Sequence, residues 1–247
     1  MTHKEQIQKS PSGGFRGFRH IPNFITCLNL FSGSVAVWLA FNGNLEAAFI
    51  AILLSAVFDF FDGFAARILK AYSPMGKELD SLADVISFGL APGAIVFSLL
   101  SESGINEFLP YLAFLIPVFS ALRLAKFNID DRQTSSFIGL PTPANAIFLS
   151  GLAFSYSDFL VINLWLLVAI TLFFSYLLVA EIPMFALKLK SLAWKENRIQ
   201  YIFLFGAILI LAALQFNAFA PIIAWYILLS IISALFQPKG RNRKSNI

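Results

Sequence analysis

The chain has 247 residues, 58% of them hydrophobic, 13% charged and 28 of them phenylalanine, far more apolar side chain than a soluble domain of this length needs for its core, so it reads as an integral membrane protein. A single cysteine, Cys27, excludes an intrachain disulfide, and two histidines, His3 and His20, both in the polar N-terminal stretch, leave no Cys/His zinc site and no histidine triad. The net charge of +4 is concentrated at the ends, Lys4 to Arg19 and Lys239 to Lys244, where contact with anionic lipid head groups explains it better than nucleic acid does.

Residues 1–20 are too polar for a signal peptide and read as an arm ahead of the membrane, with SPSGG at 10–14 as its flexible part. Eight apolar segments then approach the roughly 20 residues that a helix needs to cross a hydrocarbon core. They run near 22–41, 45–69, 80–101, 108–128, 141–157, 159–180, 199–216 and 219–236. The fifth and seventh are the shortest, which makes six or seven spans the rival count. Charge favours eight. All 18 Lys and Arg then fall on one side, in the arm, near 67–79, 123–140 and 181–198, and in the tail. The other side carries Asn42, Gly43, Asn44, Glu46, Glu102, Glu107 and Asp158. The positive-inside rule places both termini in the cytoplasm. The expected fold is therefore all-α, a polytopic integral membrane protein of about eight transmembrane helices. Its parts are a cytoplasmic arm (1–20), one transmembrane domain (21–236) and a basic cytoplasmic tail (237–247).

At the entrance of the first span, Asn23 and Thr26 can hydrogen-bond a base or ribose, although an Asn before a helix is equally an ordinary cap. Asp59 and Asp62, near the end of the second span, stand three residues apart on neighbouring helix faces. After Gly63, Ala66 and Arg67 the chain is expected to turn through Tyr72, Ser73, Pro74, Met75 and Gly76. It then re-enters the membrane with Asp80 and Asp84 four residues apart on one face. Two antiparallel neighbours thus bring four carboxylates together, at a cost of several kcal/mol per ion unless positive charge joins them.

Arg67 alone does not balance four acids. Oxygen-only donors without thiolate or imidazole select a hard cation, Mg²⁺ or Mn²⁺, and the charge balance favours two ions. Such a pair serves in-line displacement at phosphorus. Gly63 and Gly76 would allow a phosphate or ribose to come close, and Arg67 would brace phosphate oxygens. A solvated helix end accounts for any one of these acids, but not for four in a membrane protein. Further on, Arg123 and Lys126 end the fourth span, where snorkelling and ligand binding both explain a cation. Arg123 is the better carboxylate ligand, because its planar fork donates two parallel hydrogen bonds. Gly139, Pro141 and Pro143 shape the turn into the fifth span.

The spacing Asp59-x2-Asp62-Gly63-x2-Ala66-Arg67-x8-Gly76-x3-Asp80-x3-Asp84 resembles the signature of the CDP-alcohol phosphotransferases at every fixed position. IPNFITCLNLFSG at 21–33, and LRLAKFN at 122–128 followed by FIGLPTPANA at 137–146, are similar to segments of bacterial and archaeal membrane-bound phosphatidylserine synthases. The resemblance implies metal-dependent transfer of a phosphatidyl group from CDP-diacylglycerol to L-serine, giving phosphatidylserine and CMP. It implies a CDP-lipid site of Asn23, Thr26, Asp59, Asp62, Gly63, Ala66, Arg67 and Gly76. Asp59, Asp62, Asp80 and Asp84 would hold the metal, and Asp84 would also take the serine proton. Serine would bind Arg123, Lys126 and Asn128. A homodimer in the cell (inner) membrane, facing the cytoplasm and without nucleic acid, completes the expectation. Transfer to another alcohol, glycerol 3-phosphate or an inositol phosphate, stays open because Arg123, Lys126 and Arg132 could cluster around a phosphorylated acceptor. A divalent-cation carrier is the reading outside the enzyme class, weakened by the lack of an internal repeat and by acids near the membrane edge.

Overall fold

The structure, a computed structural model, describes residues 20–130, 137–187, 193–194 and 197–236. The arm with SPSGG and His3, the basic tail and Arg132 lie outside the described residues. Nine α-helices are described: α1 (Ile21–Phe41), α2 (Leu45–Ile68), α3 (Pro74–Asp84), α4 (Ala91–Glu102), α5 (Leu115–Ile129), α6 (Thr142–Ile162), α7 (Leu164–Val179), α8 (Arg198–Leu214) and α9 (Phe219–Phe236). A π-helical turn, Val85–Leu90, fuses α3 to α4, and a 3₁₀ segment, Leu109–Phe114, leads into α5.

Six helical runs are long and apolar enough to cross a membrane, so the chain is a multi-pass, essentially all-α membrane protein. They are Ile21–Phe41, Leu45–Ile68, Pro74–Glu102, Leu109–Ile129, Thr142–Ile162 and Arg198–Leu235. α7 is equally apolar but has 16 residues, about 24 Å of helix. The last run breaks at Gln215, whose φ is 49°. A β-carbon on Gly206 would collide with the Trp225 indole, whereas in one unbroken helix those residues would stand about 28 Å apart. α8 and α9 therefore double back on each other.

Two local expectations change. The third helix begins at Pro74, not near residue 80, because the Gly76 N–H donates to the Ser73 side chain at 3.0 Å and Pro74 suits a first turn that needs no N–H donor. Pro74 and Gly76 thus belong to a helix rather than to a turn. α2 instead ends in a left-handed residue, Lys70 (φ 49°), with the Ala71 N–H closing back on the Ala66 carbonyl at 3.0 Å. Asp158, expected in a turn, lies inside α6 beyond a kink at Tyr156, and α6 ends at Ile162 with Asn163 as its cap.

Small residues set the core. α1 packs along α2 and across α3 and the π turn, and Gly33 approaches Ser87 so closely that any side chain on it would meet the Ser87 backbone. The Asn29 carbonyl accepts from Ser87 Oγ at 3.0 Å and Ser55 Oγ at 3.2 Å, and Ser32 donates to the Ala51 carbonyl at 2.9 Å. Close backbone approach with serine cross-links is how helices associate in a medium as apolar as their own side chains.

A two-residue antiparallel pair, β1 (Phe137–Ile138) with β2 (Pro183–Met184), ties the entry of α6 to the exit of α7. Gly139 (φ 79°) donates to the Ile182 carbonyl at 2.9 Å, in a place where a β-carbon would run into the Leu178 carbonyl. This clasp fixes the start of α6, which bears on the site.

Candidate active site

The short link between α2 and α3 sets the last turns of one helix beside the first turns of the next. Asp59, Asp62 and Asp80 each offer an oxygen within 4.8 Å of the others. Asp84, one turn deeper on α3 and 8% exposed, lies beside Asp59 and Asp80. The four acids singled out in the sequence therefore form one cluster.

α1 completes the wall. Thr26 Oγ1 donates to Asp62 Oδ2 at 2.6 Å, which orients that carboxylate and shows that Thr26 reaches the site through the acid. A β-carbon on Gly76 would stand 2.9 Å from Asn23 Oδ1, so the absent side chain at 76 makes room for Asn23. At Gly63 a β-carbon would meet nothing within 4 Å. That glycine faces open space, as close approach of a ligand requires.

The space in front of the acids is a cavity of about 530 Å³, within the usual range for small-molecule sites. Asn23, Thr26, Asp62, Gly63, Ala66, Gly76 and Asp80 line it, with Tyr72, Ser73 and Lys77. Neither Asp59 nor Arg67 is among the lining residues, and Arg67 is exposed. Lys77 is a cavity residue that sequence reasoning passed over. It falls in the variable gap between Gly76 and Asp80, and its Nζ donates to the Asn128 carbonyl at 3.2 Å.

The three cations and amides expected near the acceptor separate. Arg123 is 7% exposed and faces Asp84 electrostatically, with Nη1 donating to Thr142 Oγ1 at 3.1 Å and the guanidinium 5.6 Å from the Phe127 ring centre. A snorkelling side chain would have its head in water, so Arg123 is an interior cation. Lys126 instead pairs with Glu181 at 3.3 Å, with 39% and 72% of the two side chains exposed. Asn128 donates to Ser81 Oγ at 2.9 Å, bracing α5 against α3. Thr142, which holds Arg123, was legible only as part of the FIGLPTPANA segment.

This donor set fits a hard divalent cation. Four carboxylates converge, Asp84 Oδ1 is buried with no hydrogen-bond partner among the described residues, and the buried Arg123 offsets one charge of four.

Comparison with known proteins agrees with the geometry. The chain is 37% identical over 168 residues to the CDP-diacylglycerol–serine O-phosphatidyltransferase of Bacillus subtilis, covering 66% of this chain and 88% of that protein. To the enzyme of the same name from Mycobacterium bovis it is 32% identical over 223 residues, 86% of this chain and 73% of the relative. An archaetidylserine synthase of Methanothermobacter thermautotrophicus is 36% identical over 135 residues, 54% of this chain and 57% of the relative. The family profile described as CDP-alcohol phosphatidyltransferase matches residues 19–236, which takes in every acid of the cluster, the cavity in front of it and the buried arginine behind it. The chain belongs to the CDP-alcohol phosphatidyltransferase family.

Proposed function

We propose that this protein transfers the phosphatidyl group of CDP-diacylglycerol to the hydroxyl of L-serine, releasing phosphatidylserine and CMP. The observation that carries this reading is the meeting, at one end of the helix bundle, of four carboxylates with a cavity on one side and a buried arginine on the other. The names of the relatives support the choice of serine.

Asp59, Asp62, Asp80 and Asp84 would hold Mg²⁺ or Mn²⁺, two ions by charge balance, which when bound supply positive charge to the phosphoryl oxygens and to the departing phosphate. Asn23, Thr26, Gly63, Ala66 and Gly76 receive the cytidine diphosphate head in the cavity, with Arg67 at its rim. Arg123 holds the serine carboxylate. Lys126 and Asn128, one turn nearer the end of α5, meet serine as it enters. As the serine oxygen forms its bond to the lipid-side phosphorus, Asp84 accepts the hydroxyl proton. The bond from that phosphorus to the bridging oxygen breaks, and CMP leaves with that oxygen. A phosphorylated acceptor would call for several free cations, and the pairing of Lys126 with Glu181 favours serine over it.

The same reading places about eight spans in the cell (inner) membrane, both termini and the cavity mouth facing the cytoplasm, and the chain as a homodimer. α7 would be a short span and the α8–α9 hairpin would supply two.

Purified protein given labelled CDP-diacylglycerol and, in turn, serine, glycerol 3-phosphate, inositol and inositol phosphate should release CMP with serine. Release with another of these alcohols and not with serine would overturn the assignment. For sidedness, Asn44→Cys and Glu102→Cys in a Cys27→Ser background should react with an impermeant thiol reagent on intact cells. Lys77→Cys should react only after the membrane is opened, and its labelling from outside would reverse the topology.

A further inference from the structure

On the Arg123 side of Asp84 the interior contains polar atoms that no group among the described residues satisfies. Asp84 Oδ1, Arg123 Nε, Ser120 Oγ and both side-chain amide atoms of Asn145 are buried without a hydrogen-bond partner among the described residues. Ser120 and Asn145 are wholly inaccessible. Native interiors pair nearly all such atoms, so each exception needs an explanation.

Chain geometry gathers these residues. Ser120 precedes Arg123 by one turn on the same face of α5, and Asn145 follows Thr142 by one turn on α6. The bond from Arg123 to Thr142 joins the two helices at that level. Ser120 also packs on the π turn below Asp84, where a β-carbon on Gly89 would stand 3.1 Å from the Ser120 β-carbon. The unpaired edge of a guanidinium, a carboxylate oxygen, a hydroxyl and a primary amide therefore share one region. That combination complements a small zwitterion. Nε donates to a carboxylate, while an amide oxygen accepts from an ammonium.

We infer that Asn145, with Ser120 beside it, forms the ammonium-reading wall of the acceptor pocket and makes this enzyme specific for an α-amino acid whose carboxylate lies on Arg123. The inference rests on the serine reading above. Asn145 lies in none of the acid or base positions, so it acts through recognition of the acceptor and not through the chemical step.

The test uses the full chain in lipid vesicles with CDP-diacylglycerol and L-serine, reading the KM for each substrate and the melting temperature. Asn145→Leu keeps the side-chain shape and removes its hydrogen bonding. It should raise the serine KM roughly ten- to a hundredfold, the worth of a hydrogen bond to a charged group, and leave the CDP-diacylglycerol KM within about twofold. Asn145→Asp, which keeps an acceptor oxygen, should recover most of the loss. If an interior water satisfies Asn145 instead, Asn145→Leu will leave the serine KM unchanged, and that result overturns the proposal. A parallel rise in both KM values overturns it as well. Asn145→Ala carries the same expectation and the same reversals if leucine is not tolerated. A wild-type protein that ignores serine would sink the parent reading, whereas one that uses serine equally well with and without the Asn145 amide sinks only this one.

Discussion

Two apolar runs of similar hydropathy occupy opposite places in this protein. An 18-residue stretch within Pro74–Glu102 has a mean hydropathy of 1.8 and 67% of its residues buried inside the protein, while one within Arg198–Leu235 has 2.2 and 11%. Hydropathy measures preference for the hydrocarbon over water and says nothing of which spans touch one another. Side-chain size makes that decision. The first run offers Ala83, Ser87, Gly89, Ala91, Gly93 and Ala94, and neighbours close on them: Gly89 lies against Pro117 and Ser120, and Gly93 against the Ala113 carbonyl. The second run presents Leu204, Phe205, Ile208 and Leu209 outward.

The sharpest way to break this contrast is at the acids where the first run meets α2. Asp59→Asn, Asp62→Asn or Asp80→Asn removes charge from a proposed metal ligand and keeps its shape, so CMP release should fall by on the order of a hundredfold or more. The protein should still insert in the membrane. More than a few per cent of wild-type turnover at saturating Mg²⁺ or Mn²⁺ would remove the metal assignment from this cluster.

Next in size are the two residues at the back of the site. On the proposed mechanism Asp84→Asn should act mainly on kcat, by roughly a hundredfold, because it withdraws the proton acceptor. Arg123→Ala should act mainly on the serine KM, by about tenfold or more, because a charged hydrogen bond to the carboxylate is lost. Steady-state kinetics with serine varied at fixed CDP-diacylglycerol separates the two, and the reverse pattern would exchange their roles.

The smallest effects sharpen the comparison of the two runs directly. Gly33→Val forces a side chain into the Ser87 backbone and should cost about 1–3 kcal/mol of stability. Leu209→Ala, on the outward face of α8, should change stability by no more than about 0.5 kcal/mol and leave turnover intact. Thermal unfolding in detergent reads both. A loss of activity in Leu209→Ala would mean that the hairpin is covered by another copy of the chain rather than by lipid.

Much of the site was legible because it is local. Intervals of three and four residues place acids on shared helix faces in any α-helix, and a proline and a serine at 73–74 mark where α3 starts once its cap is recognised. The signature therefore located Asp59, Asp62, Asp80 and Asp84, and the structure brings them together. Arg67 belongs to the same pattern yet is exposed and not among the cavity-lining residues, since a signature fixes spacing and not the direction of a long side chain. Lys77 occupies a gap in that pattern and lines the cavity all the same.

By itself, then, the sequence determined that this is a multi-pass helical membrane protein, where its apolar runs lie, and that four carboxylates recur at helical intervals, because composition and short-range periodicity encode each of these directly. Only the tertiary structure decided that Arg123 turns inward to Asp84 while Lys126, three residues on, turns out to Glu181. It also decided that Gly76 yields space to Asn23, and that the polar side chains of Ser120 and Asn145 are wholly buried. The physical reason is common to all of them. A helix that is apolar all round carries no stripe to fix its rotation about its own axis, so contacts with neighbouring helices, made through glycine, alanine and serine, set which residues face the site.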